Sequence, residues 1–388
     1  MAMKVPYKLV ALILLLLLNG CGWFKSKDNS EPPAPLVKFA PSLQLKTVWT
    51  ANTGAGTDNY FLKLKPNLKN GNLFTTSPKG HVRVFNFTDG KSIWQVKLDI
   101  PISAGAGVGE DLVVIGSNKG DVIALSEIDG TKQWHINVSS EVLATPRINQ
   151  GVVIIRTIDG KIYALNSQTG KRIWIYERPR VPLLSLRGTS SPILTDRFII
   201  AGFDDGKMAV LELKTGRVLW EAQIATPSGR TELDRIVDID ADPILDQDIV
   251  YVTSYQGRTV AIDLVRGKLV WEQKSSSYTG LDIDSDSIYI SDSNSYITAM
   301  DRFSGKLVWK QEKLKARAIT APALINDYIV VGDVEGYLHW MKREDGKFVT
   351  RHQIDNNSIK VAPMVLDDTL VAISSDGKIV ALQQVYDQ

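Results

Sequence analysis

A unit of about forty residues repeats through this chain from residue 60 onward, and it constrains the possible fold more than any other feature of the sequence. A typical unit contains a β-branched run, a turn such as Asp159-Gly160 or Glu335-Gly336, an alternating strand with an Ala-Leu core, and then Gly-Lys-x-x-Trp. That order predicts four short strands separated by turns. The last motif, or a close variant, occurs at residues 90–94, 130–134, 170–174, 216–220, 267–271 and 305–309, and residues 346–350 keep the Gly-Lys but end in Thr350.

Four strands at this period are typical of a β-propeller blade, which buries its two faces against its neighbours. The Ala-Leu strand occurs eight times, and no helical period is present in this region. The sequence therefore predicts an all-β, eight-bladed β-propeller of four-stranded antiparallel blades. No Gly-Lys-x-x-Trp follows the eighth Ala-Leu strand, whereas Leu45-Lys46-Thr47-Val48-Trp49 stands alone before the first complete unit. We expect this N-terminal strand to be the outer strand of the last blade and so to close the ring.

The first twenty residues have the layout of an export signal, with Lys4 and Lys8 before an apolar run that is too short to span a bilayer. Leu18-Asn19-Gly20-Cys21 resembles the lipobox of bacterial lipoproteins. That resemblance implies that Cys21 carries acyl chains such as palmitate and, with Gly22 next, that the protein is anchored at the outer membrane facing the periplasm. An ordinary secreted protein with an incidental thiol is disfavoured, because the chain has no second cysteine.

Three segments follow from this pattern. Residues 1–20 are predicted to be a lipoprotein signal peptide, residues 21–41 a lipidated flexible tether, and residues 42–388 the propeller. The tether is charged and polar and then proline-rich. Fully extended, residues 22–41 would reach roughly 65 Å.

Composition disfavours several classes of function. Without residues 1–20, which hold two lysines and no acidic residue, the chain has 43 basic and 43 acidic residues, so we expect no nucleic-acid partner. None of the four histidines has a partner at metal-ligand spacing, and the Gly105-Ala106-Gly107 region lacks the strand-to-helix context of a phosphate-binding loop. We therefore predict no catalytic residues, no metal and no cofactor.

The repeat is interrupted twice. Successive motif tryptophans lie 40, 40, 46, 51 and 38 residues apart, and the extra length falls in residues 178–188 and 225–240. Both stretches run from the outer strand of one predicted blade to the inner strand of the next, so they should share one face of the ring. They combine leucines with Arg187 and a pair of aspartates, a composition that suits a partner-binding patch. The alternative is that both are loops without a binding role.

The motifs in these stretches resemble those of the BamB family, lipoprotein subunits of the outer-membrane β-barrel assembly machinery. The resemblance rests on the lipobox, the eight blades, residues 184–188, 229–235 and 238–240, and Gly332-Asp333-Val334-Glu335-Gly336-Tyr337-Leu338-His339-Trp340. It implies a non-catalytic scaffold that binds the periplasmic polypeptide-transport-associated (POTRA) domains of BamA, the central barrel subunit, and that assists barrel precursors. The residues it nominates for BamA binding are Leu184, Leu186, Arg187, Asp238 and Asp240.

The repeat unit also resembles that of quinoprotein dehydrogenases, which hold pyrroloquinoline quinone in their propellers. Those enzymes are much longer and typically carry a vicinal cysteine pair, which this chain lacks. A periplasmic quinoprotein-like enzyme or ligand-binding propeller is therefore the alternative function, and a scaffold without enzymatic activity is the expected one.

Overall fold

The computed structural model describes residues 31–57, 62–178, 182 and 184–385, so the predicted signal peptide and Cys21 lie outside the described residues. In those residues the regular structure consists of thirty-two strands grouped into eight four-stranded antiparallel sheets. The prediction of an eight-bladed β-propeller is confirmed. The described part of the chain contains no helix that could span a membrane.

Seven blades consist of four strands that are consecutive in sequence, and the eighth combines the two ends of the chain. The strands are β1 (Leu45–Asn52); in blade one β2 (Asn67–Lys69), β3 (Asn72–Thr76), β4 (His81–Asn86) and β5 (Ser92–Lys97); in blade two β6 (Gly107–Gly109), β7 (Leu112–Gly116), β8 (Asp121–Ser126) and β9 (Lys132–Asn137); in blade three β10 (Arg147–Asn149), β11 (Val152–Arg156), β12 (Ile162–Asn166) and β13 (Arg172–Tyr176); in blade four β14 (Ile193–Leu194), β15 (Phe198–Gly202), β16 (Lys207–Glu212) and β17 (Val218–Gln223); in blade five β18 (Ile244–Asp246), β19 (Ile249–Thr253), β20 (Gly257–Asp263) and β21 (Lys268–Ser275); in blade six β22 (Gly280–Ile283), β23 (Ser287–Ser291), β24 (Ile297–Asp301) and β25 (Leu307–Gln311); in blade seven β26 (Ala323–Ile325), β27 (Tyr328–Gly332), β28 (Tyr337–Lys342) and β29 (Phe348–Gln353); and in blade eight β30 (Met364–Leu366), β31 (Thr369–Ile373) and β32 (Lys378–Gln384) together with β1.

The hydrophobic core lies between neighbouring blades. The second and third strands of each blade are buried on both faces, which explains their nearly continuous apolar sequences. One cluster, for example, joins Val114 of blade two to Val153 of blade three, and another joins Val210 of blade four to Val250 of blade five. The outer strands instead alternate between exposed and covered residues. Each blade is therefore stable only as part of the ring.

The motif tryptophans connect each blade to the next. Trp94 of β5 donates a hydrogen bond from Nε1 to the Glu127 carbonyl of blade two, at 2.9 Å. Its ring lies against Gly130, where an added Cβ would be 2.8 Å from the ring and where φ is +74°. Glycine is required there both by the left-handed backbone and by the approach of the ring. The same pair of contacts recurs with Trp49, Trp134, Trp174, Trp220, Trp271 and Trp309.

The predicted ring closure is also confirmed. β1 pairs antiparallel with β32, with Leu45 opposite Gln384 and Trp49 opposite Ala381. Trp49 is only 8% exposed, and it contacts blade one through the Phe87 carbonyl. In blade eight the third strand, β32, and the outer strand, β1, are not consecutive in sequence, so no glycine turn joins them. A tryptophan on the outer strand of blade seven would therefore have no such glycine to pack against, and Thr350 stands at that position.

The structure differs from the predicted tether at its C-terminal end. Pro33–Gln388 form one compact unit, so residues 33–41, which the sequence assigned to the tether, belong with the propeller. Phe39 stacks on Phe348 of β29 with ring centroids 5.6 Å apart, and the Ser42 N–H donates to the Val349 carbonyl at 2.8 Å. A proline-rich stretch has no periodic pattern that would reveal such contacts in advance.

Candidate partner-binding site

The two long connections predicted from the repeat spacing flank blade four. We call residues 177–192, between β13 and β14, the first loop, and residues 224–243, between β17 and β18, the second loop. Thr189 of the first loop and Asp240 of the second line the same cavity, of about 670 Å³, at one mouth of the central channel. Both loops therefore lie at one end of the propeller, as expected, and we call this end the loop face.

The first loop exposes an apolar side chain and, three residues later, a cation. Leu184 is 45% exposed, Leu186 is half-buried and Arg187 is exposed. Arg187 has φ +57°, a left-handed conformation that residues other than glycine rarely adopt. Its N–H donates to Ser185 Oγ at 3.1 Å, and its guanidinium pairs with Glu141 at 2.5 Å. The loop thus holds Arg187 in one defined orientation.

The two aspartates of the second loop lie inside the protein, where sequence analysis had expected polar contacts at the surface. Asp238 is 0% exposed and Asp240 is 2% exposed. Asp238 Oδ2 accepts a hydrogen bond from the Leu186 N–H at 2.5 Å, and an added Cβ at Gly188 would lie 2.4 Å from Asp240 Oδ2. Both carboxyls therefore support the first loop from beneath, and neither is exposed at the surface.

A buried cation extends this support to the neighbouring blades. Arg156, at the end of β11, pairs with Asp204 of blade four at 3.1 Å, and both side chains are less than 10% exposed. The same guanidinium donates to the carbonyl and to the Oγ of Ser190, at 2.9 and 3.0 Å. Since a buried charge is stable only when it is paired and hydrogen-bonded, this arrangement ties blades three and four to the first loop.

The carboxyls beneath the first loop have strongly shifted pKa values. Burial, followed by the negative charges of Asp240 and Asp204, raises the pKa of Asp238 to about 8. Burial raises the pKa of Asp240 to about 6, although the charge of Lys63 opposes that change. At neutral pH Asp238 therefore keeps its proton, which removes one negative charge from a site where water is excluded.

The tip of the second loop adds an exposed residue that sequence analysis did not single out. Leu233 is 67% exposed, whereas Ile236, Val237 and Ile239 in the same loop are buried. The tip is held by reciprocal hydrogen bonds between Thr231 and Asp234. A leucine in the charged run Arg230–Arg235 was the available signal for Leu233, whereas no sequence signal identified Glu141 or Arg156.

Two lysines at the channel mouth make hydrogen bonds and an ion pair with the second loop and with Tyr278. The Lys63 Nζ donates to the carbonyls of Asp240 and Tyr278, at 3.1 and 3.0 Å, and Lys65 pairs with Asp242 at 3.3 Å. Within the described ranges, no group of three or more His, Cys, Asp or Glu side chains is placed to hold a metal ion.

Comparison with known proteins gives consistent results for sequence and structure. The sequence model of a family described as outer membrane protein assembly factor BamB matches residues 78–311 and 293–385. The factor of that name from Pseudomonas aeruginosa is 48% identical over 71% of this chain and 72% of its own length. The one from Legionella pneumophila is 40% identical over 82% of this chain and 84% of its own length.

Among solved structures, that of BamB from Moraxella catarrhalis covers 88% of this chain and all of its own, with a TM-score of 0.80 and 27% identity. A quinohemoprotein alcohol dehydrogenase from Comamonas testosteroni covers 87% of this chain and 76% of its own, with a TM-score of 0.71 and 13% identity. At that identity the second match shows a shared fold and nothing about shared chemistry.

Proposed function

We propose that this chain, which belongs to the BamB family of outer membrane protein assembly factors, is a non-catalytic scaffold of the outer-membrane protein assembly complex. It binds the periplasmic POTRA domains of a BamA-type barrel subunit and aids the assembly and insertion of β-barrel outer-membrane proteins. The relatives are named as assembly factors, whereas the dehydrogenases share only the propeller fold.

The loop face supports this proposal. Leu184 and Leu233 expose apolar surface, and Arg187, three residues after Leu184, is an exposed charge paired with Glu141. Apolar anchors with a charged rim are the usual composition of a protein-binding site. The observation that carries the proposal is the hydrogen bond from the Leu186 N–H to buried Asp238, because it fixes the conformation of the loop before a partner arrives.

Exchange of the exposed residues tests the partner. We expect Leu184→Ala and Arg187→Glu each to weaken binding to purified POTRA domains at least tenfold, since truncation of a hot-spot residue costs about 2 kcal/mol or more. Leu307→Ala and Arg266→Glu are matched controls, because Leu307 is 63% exposed on blade six and Arg266 is exposed on blade five. The melting temperature should stay unchanged in all four variants. Normal binding by Leu184→Ala and Arg187→Glu would remove the loop face from the proposal.

We further propose that the mature chain is held at the outer membrane, facing the periplasm, by acyl chains on Cys21. The support is the sequence Leu18-Asn19-Gly20-Cys21 and the family's name. Cys21→Ser should leave an unprocessed precursor or a soluble periplasmic protein. Unchanged fractionation of this variant with outer membranes, together with no incorporation of labelled palmitate into the wild-type protein, would contradict the anchor.

A further inference from the structure

A short segment that precedes β1 is bound at both of its ends to blades six and seven. Near its beginning, the Ala34 N–H donates to the Lys315 carbonyl at 3.0 Å, and the Ala34 carbonyl accepts from Arg317 Nη1 at 2.7 Å. Near its end, the Ser42 N–H donates to the Val349 carbonyl at 2.8 Å. We call residues 33–42 the docked segment.

The middle of the docked segment is held by an arginine and an aromatic ring. Arg351 Nη2 donates to the Val37 carbonyl at 3.2 Å, and the same guanidinium lies over the Phe39 ring at 5.2 Å. The Phe39 ring stacks on Phe348 with an interplanar angle of 18°. Backbone, cation–π and stacking contacts therefore act on the nine residues from Ala34 to Ser42.

Both arginines are positioned by a buried network in blade seven. Arg317 Nε donates to Asp333 Oδ2 at 2.7 Å, and His339 Nε2 contacts the same oxygen at 2.7 Å. Arg351 Nε donates to His339 Nδ1 at 3.3 Å, which requires the neutral imidazole with its proton on Nε2. Asp333 and His339 are fully buried. This network accounts for the Asp333 to His339 motif, which the partner-binding loops do not use.

The docked segment begins at the loop face. Ala318 and Ile319, which follow Arg317 in the connection to β26, line the same channel-mouth cavity as Thr189 and Asp240 of the two loops. Arg317 therefore receives Ala34 at the end of the propeller that carries the partner-binding residues.

We propose that Arg317, Arg351 and Phe348 form a binding site for the chain's own residues 33–42, and that this site fixes the exit of the N-terminal tether at the loop face, beside blades six and seven. The role of the exit point in membrane attachment rests on the proposed acylation of Cys21. With the segment docked, only residues 22–32 remain to span the distance to the lipid. They reach roughly 36 Å when extended, compared with roughly 65 Å for residues 22–41. The site thus holds the partner-binding face near the membrane.

Trypsin under native conditions tests the docking, because Lys27 precedes the docked segment and Lys38 lies inside it. On the purified mature chain, we expect cleavage after Lys27, which leaves a propeller beginning at Asp28, and protection of the bond after Lys38. Phe39→Ala should speed cleavage after Lys38 at least tenfold, as read by the mass of the propeller fragment. Arg351→Gln should do the same, and it leaves the cleavage site unchanged.

Phe303→Ala is the matched control, since Phe303 is 68% exposed in the turn between β24 and β25 of blade six, and its ring contact is with Arg302. It should cleave like the wild type, and all variants should keep the circular dichroism of the folded protein. Wild-type cleavage after Lys38 as fast as after Lys27 would overturn the proposal, and so would unchanged protection in both Phe39→Ala and Arg351→Gln. The assay needs neither acylation nor a partner, so its failure is distinct from failure of the proposed function.

Discussion

Asp238 lies beneath the first loop with one carboxyl oxygen bonded to the Leu186 N–H, while its Oδ1 has no hydrogen-bond partner among the described residues. Its pKa is raised to about 8 by burial and by nearby negative charge. The folded protein therefore binds a proton at Asp238 over a pH range in which the unfolded chain has released it. The resulting stabilisation is complete below about pH 4, and it is lost as the pH rises through 8.

Replacement of Asp238 by Asn should remove this dependence, because the amide cannot ionise and its oxygen can still accept from Leu186. We expect the free energy of unfolding of the wild type to fall relative to that of Asp238→Asn between pH 5 and pH 9. The change is at most about 1.4 kcal/mol for each pH unit. Urea denaturation at several pH values measures it.

Asp99→Asn is the control for that comparison, since Asp99 is exposed. Its stability should follow that of the wild type at every pH. If the curves of Asp238→Asn and the wild type run parallel, the carboxyl of Asp238 does not titrate in this range.

Sequence analysis identified Asp238 and Asp240 but misjudged their environment. In Val237-Asp238-Ile239-Asp240-Ala241, apolar and acidic residues alternate, as they do in a half-exposed strand. The segment is instead covered on both sides, so all five residues are buried. Alternation cannot distinguish a half-exposed strand from a segment that is buried on both sides. It indicates which residues lie on the same side of the segment, but not whether other residues cover that side.

At the level of elements, the contact between tryptophan and glycine determines how blades pack. Gly130 and Gly151 have the same φ of +74°, but Gly130 lies against the Trp94 ring and Gly151 has no atom within 4 Å of an added Cβ. Substitution of each glycine in turn therefore separates the cost of the left-handed backbone from the cost of displacing the Trp94 ring.

We expect Gly151→Ala to cost about 1 kcal/mol, from the left-handed conformation alone. Gly130→Ala should cost about 1–3 kcal/mol more, because the ring must move out of its place between the blades. Thermal or chemical unfolding measures both values. Equal losses in the two variants would show that the ring contact contributes little.

The blades were predictable because most copies of the repeat show the same strands, turns and Gly-Lys-x-x-Trp motif. Because the strand pattern occurs eight times, each copy supports the strand assignment of the others. The docked segment was not predictable, because its contacts depend on Phe348 and Arg351, which lie over three hundred residues away and stand at positions where other blades carry different residues. A single occurrence cannot produce a pattern.

For the whole molecule, the ring depends on β1. This strand supplies the outer strand of blade eight, and buried Trp49 packs against Gly90 of blade one. Loss of β1 would expose the edge of β32 and the side of blade one at once. An exposed edge of this kind also favours aggregation.

Two truncations test this dependence. A chain that begins at residue 33 should keep the wild-type melting temperature, whereas a chain that begins at residue 53 should melt far lower, since the loss of a buried Trp side chain alone costs about 3–5 kcal/mol. Calorimetry on both proteins gives the comparison. Equal melting temperatures would mean that seven complete blades hold the ring without the eighth outer strand.

The position of the docked segment also has a mechanical consequence. A pull on the chain at residue 33 reaches Ala34, Val37 and Phe39 before it reaches β1, because these residues come first along the chain and are held by blades six and seven. Without those contacts, the same force would act on the end of β1 at Leu45 and peel it from β32 one hydrogen bond at a time. Residues 33–42 thus bear a force applied through the anchor, so that this force does not act on the strand that closes the ring.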